Sequence, residues 1–78
     1  MFEIKKYNTE IVILTPYGKE FTHLSEKDCD YWEAWFKSII SGKIDYGAIT
    51  IRLNDIENVV YSVKSIQKSI ITIKNLNI

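Results

Sequence analysis

Leu24-Ser-Glu-Lys-Asp-Cys-Asp-Tyr-Trp-Glu-Ala-Trp-Phe-Lys-Ser-Ile-Ile-Ser-Gly42 is the stretch of this chain in which a helix start, body and stop can all be read. Ser25 is a favoured N-cap residue, and Asp28, three positions on, mimics the acid of a capping box. Glu26, Asp28 and Asp30 put negative charge where the helix dipole stabilises it. Cys29, Trp32, Trp35, Phe36, Ile39 and Ile40 recur at three- and four-residue spacing and form one wide apolar stripe. Gly42 suits the left-handed stop of a helix, with Lys37 and Lys43 near its negative end. The pattern predicts one amphipathic helix over about 26–41.

On the N-terminal side, Phe2 to Leu14 reads as two strands with a turn at Asn8-Thr9, Phe2-Glu-Ile-Lys5 alternating and Ile11-Val-Ile-Leu14 forming a continuous β-rich run. Thr15-Pro-Tyr-Gly-Lys19 places Pro at i+1 and Gly at i+3 of a type I turn. Glu20 to Leu24 is then either a third strand or the lead-in to the helix.

On the C-terminal side two rules conflict. Ala48-Ile-Thr-Ile-Arg-Leu53 alternates as a strand does. Between 59 and 73, eight of fifteen residues are β-branched, which favours strands at Val59–Val63 and Ile70–Ile73 with a turn near Ser65–Lys68. Yet Ile56, Val59, Val63, Ile66, Ile70 and Ile73 keep a 3-4 spacing, and Asn54 with Glu57 resembles a capping box. Strands with a turn at Asn54–Glu57 are the reading adopted; a second helix within 55–70 is the alternative. The expected fold is α+β: an N-terminal β-hairpin, one central helix, and C-terminal antiparallel strands packed on it. Ile11, Ile13, Trp32, Phe36, Ile39, Ile49, Ile51 and Val63 are the expected core.

Seventy-eight residues make one domain spanning 1–78. Apolar content of 46% excludes a disordered chain. Ten basic and ten acidic residues cancel, so no global field draws the chain to nucleic acid or to a membrane. The single cysteine, Cys29, excludes an internal disulfide and a cysteine-rich zinc site. No apolar run approaches the roughly 20 residues that span a bilayer, and Met1-Phe-Glu-Ile-Lys-Lys6 lacks a signal-peptide core, so a cytoplasmic protein without a membrane role is expected. Isoleucine, lysine and asparagine are abundant (14, 9 and 5) while alanine and arginine are scarce (2 and 1), as in proteins from AT-rich genomes.

His23 stands without a second nucleophile or ligand beside it and reads as a polar residue ahead of the helix. Cys29 falls in the first helical turn among acids that disfavour a nucleophilic thiolate; it reads as a small buried residue beside Trp32. Glu26, Asp28, Asp30 and Glu33 alternate along a helix, which spreads them over different faces and argues against a cation site. No metal or cofactor is expected, and no phosphate-cradling glycine loop is present.

Tyr31 and Trp35 lie four apart at the border of the main stripe and would form a contact edge if exposed. The first functional expectation is therefore a non-enzymatic protein–protein interaction module, anchored by Tyr31 and Trp35 and oriented by Glu26 and Asp30. It would occupy a protein partner's surface or form a homodimer. Small size and base composition suit an accessory or inhibitor protein of a bacterium or its phage, acting on a host protein. The alternative is a nucleic-acid-binding regulator using Arg52, Lys64, Lys68 and Lys74, with Tyr61 for stacking.

Overall fold

The structure, a computed structural model, describes residues 7–53 and 56–77. In chain order it contains β1 (Thr9–Leu14), β2 (Glu20–Ser25), α1 (Cys29–Ile40), β3 (Ala48–Arg52), β4 (Asn58–Ser62), α2 (Val63–Gln67) and β5 (Ile70–Asn75). This is an α+β fold with an N-terminal hairpin, one main helix and antiparallel C-terminal strands.

The hairpin is made by β1 and β2, with the turn at Thr15–Lys19. Gly18 N–H donates to the Thr15 carbonyl at 3.0 Å, and Gly18 takes φ 81°, a conformation that favours glycine. Thr15 Oγ1 reinforces the turn by donating to the Lys19 carbonyl at 2.8 Å. Thr9, expected in a turn, instead lies inside β1 with its side chain buried. The strand expected at Phe2–Lys5 lies outside the described residues.

Strand order β2-β1-β5 forms a three-stranded antiparallel sheet, and β3-β4 forms a separate ribbon. Across the larger sheet, Phe21, Ile13 and Ile71 share one row and His23, Ile11 and Ile73 the next. Because side chains alternate between faces, both rows point to the same side. Helix α1 covers that side with Phe36 and Ile39, both buried.

Helix α1 starts later than its sequence signals indicate. Ser25 is the last residue of β2, paired with Thr9, so its backbone is held extended. Asp28 caps the helix instead, accepting from Tyr31 N–H at 3.0 Å. Ser25 Oγ is used elsewhere: it accepts from Lys27 N–H at 3.1 Å and from Trp32 Nε1–H at 2.8 Å. The stop falls where expected, with Gly42 at φ 84° just beyond the Ser41 cap.

Over 58–75 each sequence rule is right for part of the segment. Strands occupy 58–62 and 70–75, and one short helix separates them. Ser62 caps that helix by accepting from Ser65 N–H at 3.0 Å, and Val63 and Ile66, three apart, enter the core together. The expected hairpin between Val59–Val63 and Ile70–Ile73 does not form, and the alternative, a second helix within 55–70, is met by the short α2. Strand β4 returns to β3 while β5 completes the free edge of β1. Of the turn expected at Asn54–Glu57, the first two residues, Asn54 and Asp55, lie outside the described residues; Leu53 N–H donates to the Glu57 carbonyl at 2.9 Å and closes the β3–β4 hairpin.

The core consists of Ile11, Ile13, Phe36, Ile39, Ile51, Tyr61, Val63 and Ile66. Each such aliphatic side chain stabilises the fold by roughly 1.5–3 kcal/mol on burial. Trp32 and Ile49, expected inside, are half-buried against this cluster. Tyr61 and Ile66 take the interior places instead.

Candidate functional site

The residues of α1 form three rows. Trp32, Phe36 and Ile39 face the core. Asp30, Glu33 and Lys37 follow i, i+3, i+7 spacing on one flank, where Glu33, Lys37 and Ile40 lie beside Ile71 and Ile73 of β5. Tyr31, Ala34, Trp35 and Ser38 follow the same spacing on the opposite flank, which carries no charge.

That uncharged flank borders β3. Tyr31, Trp32, Trp35 and Phe36 on one side and Ala48, Ile49, Thr50 and Ile51 on the other enclose an open groove of about 240 Å³. Tyr31 and Trp35 remain 42% and 41% exposed, so neither ring is spent on the core. Tyr31 meets Trp32 edge to face at 5.2 Å, and Trp32 stacks on Phe36 at 5.9 Å. Lys27 Nζ lies 5.5 Å from the Tyr31 ring centre.

Four consecutive β3 residues line the groove because the strand meets it edge-on. Leu53 N–H donates to Glu57 at one end of the β3–β4 ladder, and Val63 N–H donates to Gly47 at 3.0 Å at the other. Bonded and non-bonded positions alternate in an antiparallel pair, so Gly47, Ile49, Ile51 and Leu53 turn their backbone groups toward β4. Ala48, Thr50 and Arg52 turn theirs away. The Arg52 carbonyl accepts from His23, whereas the N–H and C=O groups of Ala48 and Thr50 have no hydrogen-bond partner among the described residues.

Of the residues expected to serve the partner, Tyr31 and Trp35 come together on this flank, but Asp30 and Glu26 do not join them. Asp30 belongs to the opposite flank. Glu26 lies in the β2–α1 connection, where its carbonyl accepts from Asn8 Nδ2 at 2.6 Å.

The basic residues are dispersed. Arg52 lies on β3, Lys64 and Lys68 at α2, and Lys74 on β5 opposite Glu10 of β1. Lys64 Nζ is 2.8 Å from Asp45 Oδ1, and that bond, with a second from Gln67, holds the Asp45 carboxyl below its ordinary pKa. Tyr61, expected to stack on nucleic acid, is only 4% exposed and belongs to the core.

His23 is corrected as well: it is fully buried on the inner face of β2. A carbonyl only accepts, so Nδ1 carries the imidazole proton and donates to the Arg52 carbonyl at 3.3 Å. Nε2 then accepts from Tyr61 Oη–H at 2.5 Å. One imidazole thereby ties both strands of the β3–β4 hairpin to β2. Burial holds its pKa below the ordinary 6.5, with the Arg52 bond opposing in part, and burial pushes the Tyr61 phenol up to about 12. The pair is neutral and enclosed. Alternation would have revealed it, since Phe21 and His23, and likewise Val59 and Tyr61, occupy inward positions of their strands.

Cys29 is half-buried, facing Thr9 Oγ1 at 3.5 Å. Thr9 spends its own proton on the Lys27 carbonyl at 2.8 Å, so the thiol is the donor in that contact. Among the described residues, no three of His, Cys, Asp and Glu gather closely enough to hold a metal ion, and no helix is long and apolar enough to cross a membrane.

No protein-family model, curated protein or solved structure matches this chain. The functional reading therefore rests on the geometry of its own surface.

Proposed function

We propose that this chain is a non-enzymatic protein-interaction module whose contact surface is the uncharged flank of α1 together with the adjoining edge of β3. The observation that carries this reading is the placement of Tyr31 and Trp35. Two large rings, each about two-fifths exposed, stand side by side along an open groove. Tyrosine and tryptophan lose little rotamer entropy on contact and bury much area, which makes them frequent anchors of protein interfaces. Tyr31 packs edge to face on Trp32, which in turn stacks on Phe36 of the core.

His23, the residue through which acid–base chemistry would run, is enclosed and has both ring nitrogens occupied. This favours binding over catalysis. The acids Glu26 and Asp30 lie away from this surface, so their role would be in encounter rate and not in contact. An accessory or inhibitor role in a bacterium or its phage, exerted by covering a host protein, would use the same surface.

The test is affinity capture with the wild-type chain and a Tyr31→Ala/Trp35→Ala variant, each checked for its fold by circular dichroism. The expected result is a folded variant that loses a partner the wild type retains. An identical set of captured proteins refutes the reading, and an unfolded variant assigns both rings to the core.

A further inference from the structure

We infer that β5 is a self-pairing edge: two copies of this chain join antiparallel through β5 about a two-fold axis at Thr72, with the Glu33–Lys37 flanks of their α1 helices toward each other. This surface lies on the other side of α1 from Tyr31 and Trp35, so the inference stands or falls apart from the interaction-module reading.

Ile70–Asn75 is an outer strand of the three-stranded sheet. Leu76 N–H donates to the Asn8 carbonyl at 3.0 Å, which makes Asn8 and Leu76 a bonded position of the β1–β5 ladder. Bonded positions recur every second residue, so Ile70, Thr72 and Lys74 turn their backbone groups toward β1, and Ile71 and Ile73 turn theirs outward. The N–H and C=O groups of Ile71 and Ile73 have no hydrogen-bond partner among the described residues. Ile70-Ile-Thr-Ile73 contains neither charge nor proline, and its register runs without a bulge. Exposed edges are ordinarily protected by one of those features, and a bare edge invites another strand.

Setting Ile71 opposite Ile73 of the copy uses every outward group of both residues on both chains. Thr72 then faces its own counterpart across the axis, a favourable cross-strand pair. Ile70, 66% exposed, meets the aliphatic stem of Lys74 from the copy, and the two Lys74 charges stay at opposite ends of the ladder. On the other face of the sheet, Phe36, Ile40, Ile71 and Ile73 line an open trough of about 420 Å³ between α1 and this edge, and Glu33 and Lys37 complete its wall.

Those two charges select the copy. Glu33 and Lys37 are of opposite sign one helical turn apart, and neither makes an ion pair among the described residues. A two-fold axis reverses one α1 against the other, so Glu33 of each chain approaches Lys37 of its partner and both charges are answered. A strand of unrelated sequence would have to bring a cation and an acid at the same spacing in reverse order; a second copy does so by symmetry. The joined sheet runs β2-β1-β5-β5-β1-β2, with both helices on one face.

The experiment is sedimentation equilibrium on the purified chain from about 1 µM to about 1 mM, with variants at three exposed positions. Thr72→Lys sets two cations face to face at the axis. Lys37→Glu sets acid against acid, and Glu33→Lys/Lys37→Glu exchanges the two charges and restores their complementarity. The expected result is a wild-type dimer whose dissociation constant rises roughly 10-fold or more in Thr72→Lys and roughly 3- to 30-fold in Lys37→Glu, and returns to within about 3-fold of the wild type in the exchanged variant. Circular dichroism should be unchanged in each; if Thr72→Lys unfolds, the charge variants decide.

A wild-type chain that stays monomeric throughout overturns the proposal, as do aggregates that grow without a closed dimer and a dimer indifferent to Thr72→Lys. An exchanged variant no tighter than Lys37→Glu overturns the helix contact. Tyr31→Ala/Trp35→Ala should dimerise as the wild type does, so its loss of a captured partner bears on the interaction-module reading and a loss of its dimer overturns the β5 interface.

Discussion

Tyr61→Phe removes a single oxygen from the interior of this protein, and its effect on stability tests how the β3–β4 hairpin is held. The ring stays, so its edge-to-face contact with Phe21 at 5.8 Å survives and no sizeable cavity opens. What is lost is the proton donated to His23 Nε2 at 2.5 Å. His23 is completely buried, so water cannot replace that donor without opening the hairpin. A buried acceptor left unsatisfied costs about 1–3 kcal/mol, against a total of roughly 4–12 kcal/mol for a chain of this length. The melting temperature should fall by roughly 5–20 °C. Urea unfolding followed by tryptophan emission measures the loss directly, since Trp32 packs against the same core. His23→Phe combined with Tyr61→Phe should be less destabilising than the sum of the single changes, because the double variant leaves no orphaned ring nitrogen. If Tyr61→Phe matches the wild type within about 0.5 kcal/mol, the hydroxyl is not what pins the hairpin and the reasoning fails.

The pH dependence of stability follows from the same residue. Because the folded-state pKa of His23 lies below 6.5, the unfolded chain takes up the proton first as pH falls. Stability should be level above the unfolded value, decline as pH drops through it, and stop declining below the folded pKa; His23→Gln should flatten this part of the curve in urea midpoints taken between pH 4 and 8. Asp28→Ala should destabilise the protein by about 1 kcal/mol through loss of the α1 cap, read by thermal unfolding. The capture test on Tyr31 and Trp35 and the sedimentation test on Thr72, Glu33 and Lys37 complete the set.

Several features were legible in the residues alone. The stripe from Cys29 to Ile40, closed by Gly42, carries a helix wherever it is placed, because its period and its stop are local properties. The Pro16–Gly18 turn is equally local. Tyr31 and Trp35 stood out because a single helix does not need that much aromatic surface for its own packing. The start of α1 is not a local property, because Ser25 and Asp28 are both good caps and the choice between them is made by Thr9, sixteen residues upstream, pairing with Ser25 in the sheet. Between 58 and 75, β-branched content and helical spacing each described part of the truth. Their competition was resolved by β1, whose free edge recruits Ile70–Asn75, and by the core, which takes Val63 and Ile66 from one helical turn.

Local order, then, was determined by the sequence itself: periodicity, caps and turn residues act over a few positions and need no distant partner. Only the tertiary structure decided which strands pair, that His23 and Tyr61 meet across 38 residues of chain, and that the acids of α1 lie away from its aromatic flank. Those outcomes depend on which distant faces close one core. A small free-energy difference between alternative strand pairings settles that choice, and no local pattern encodes it.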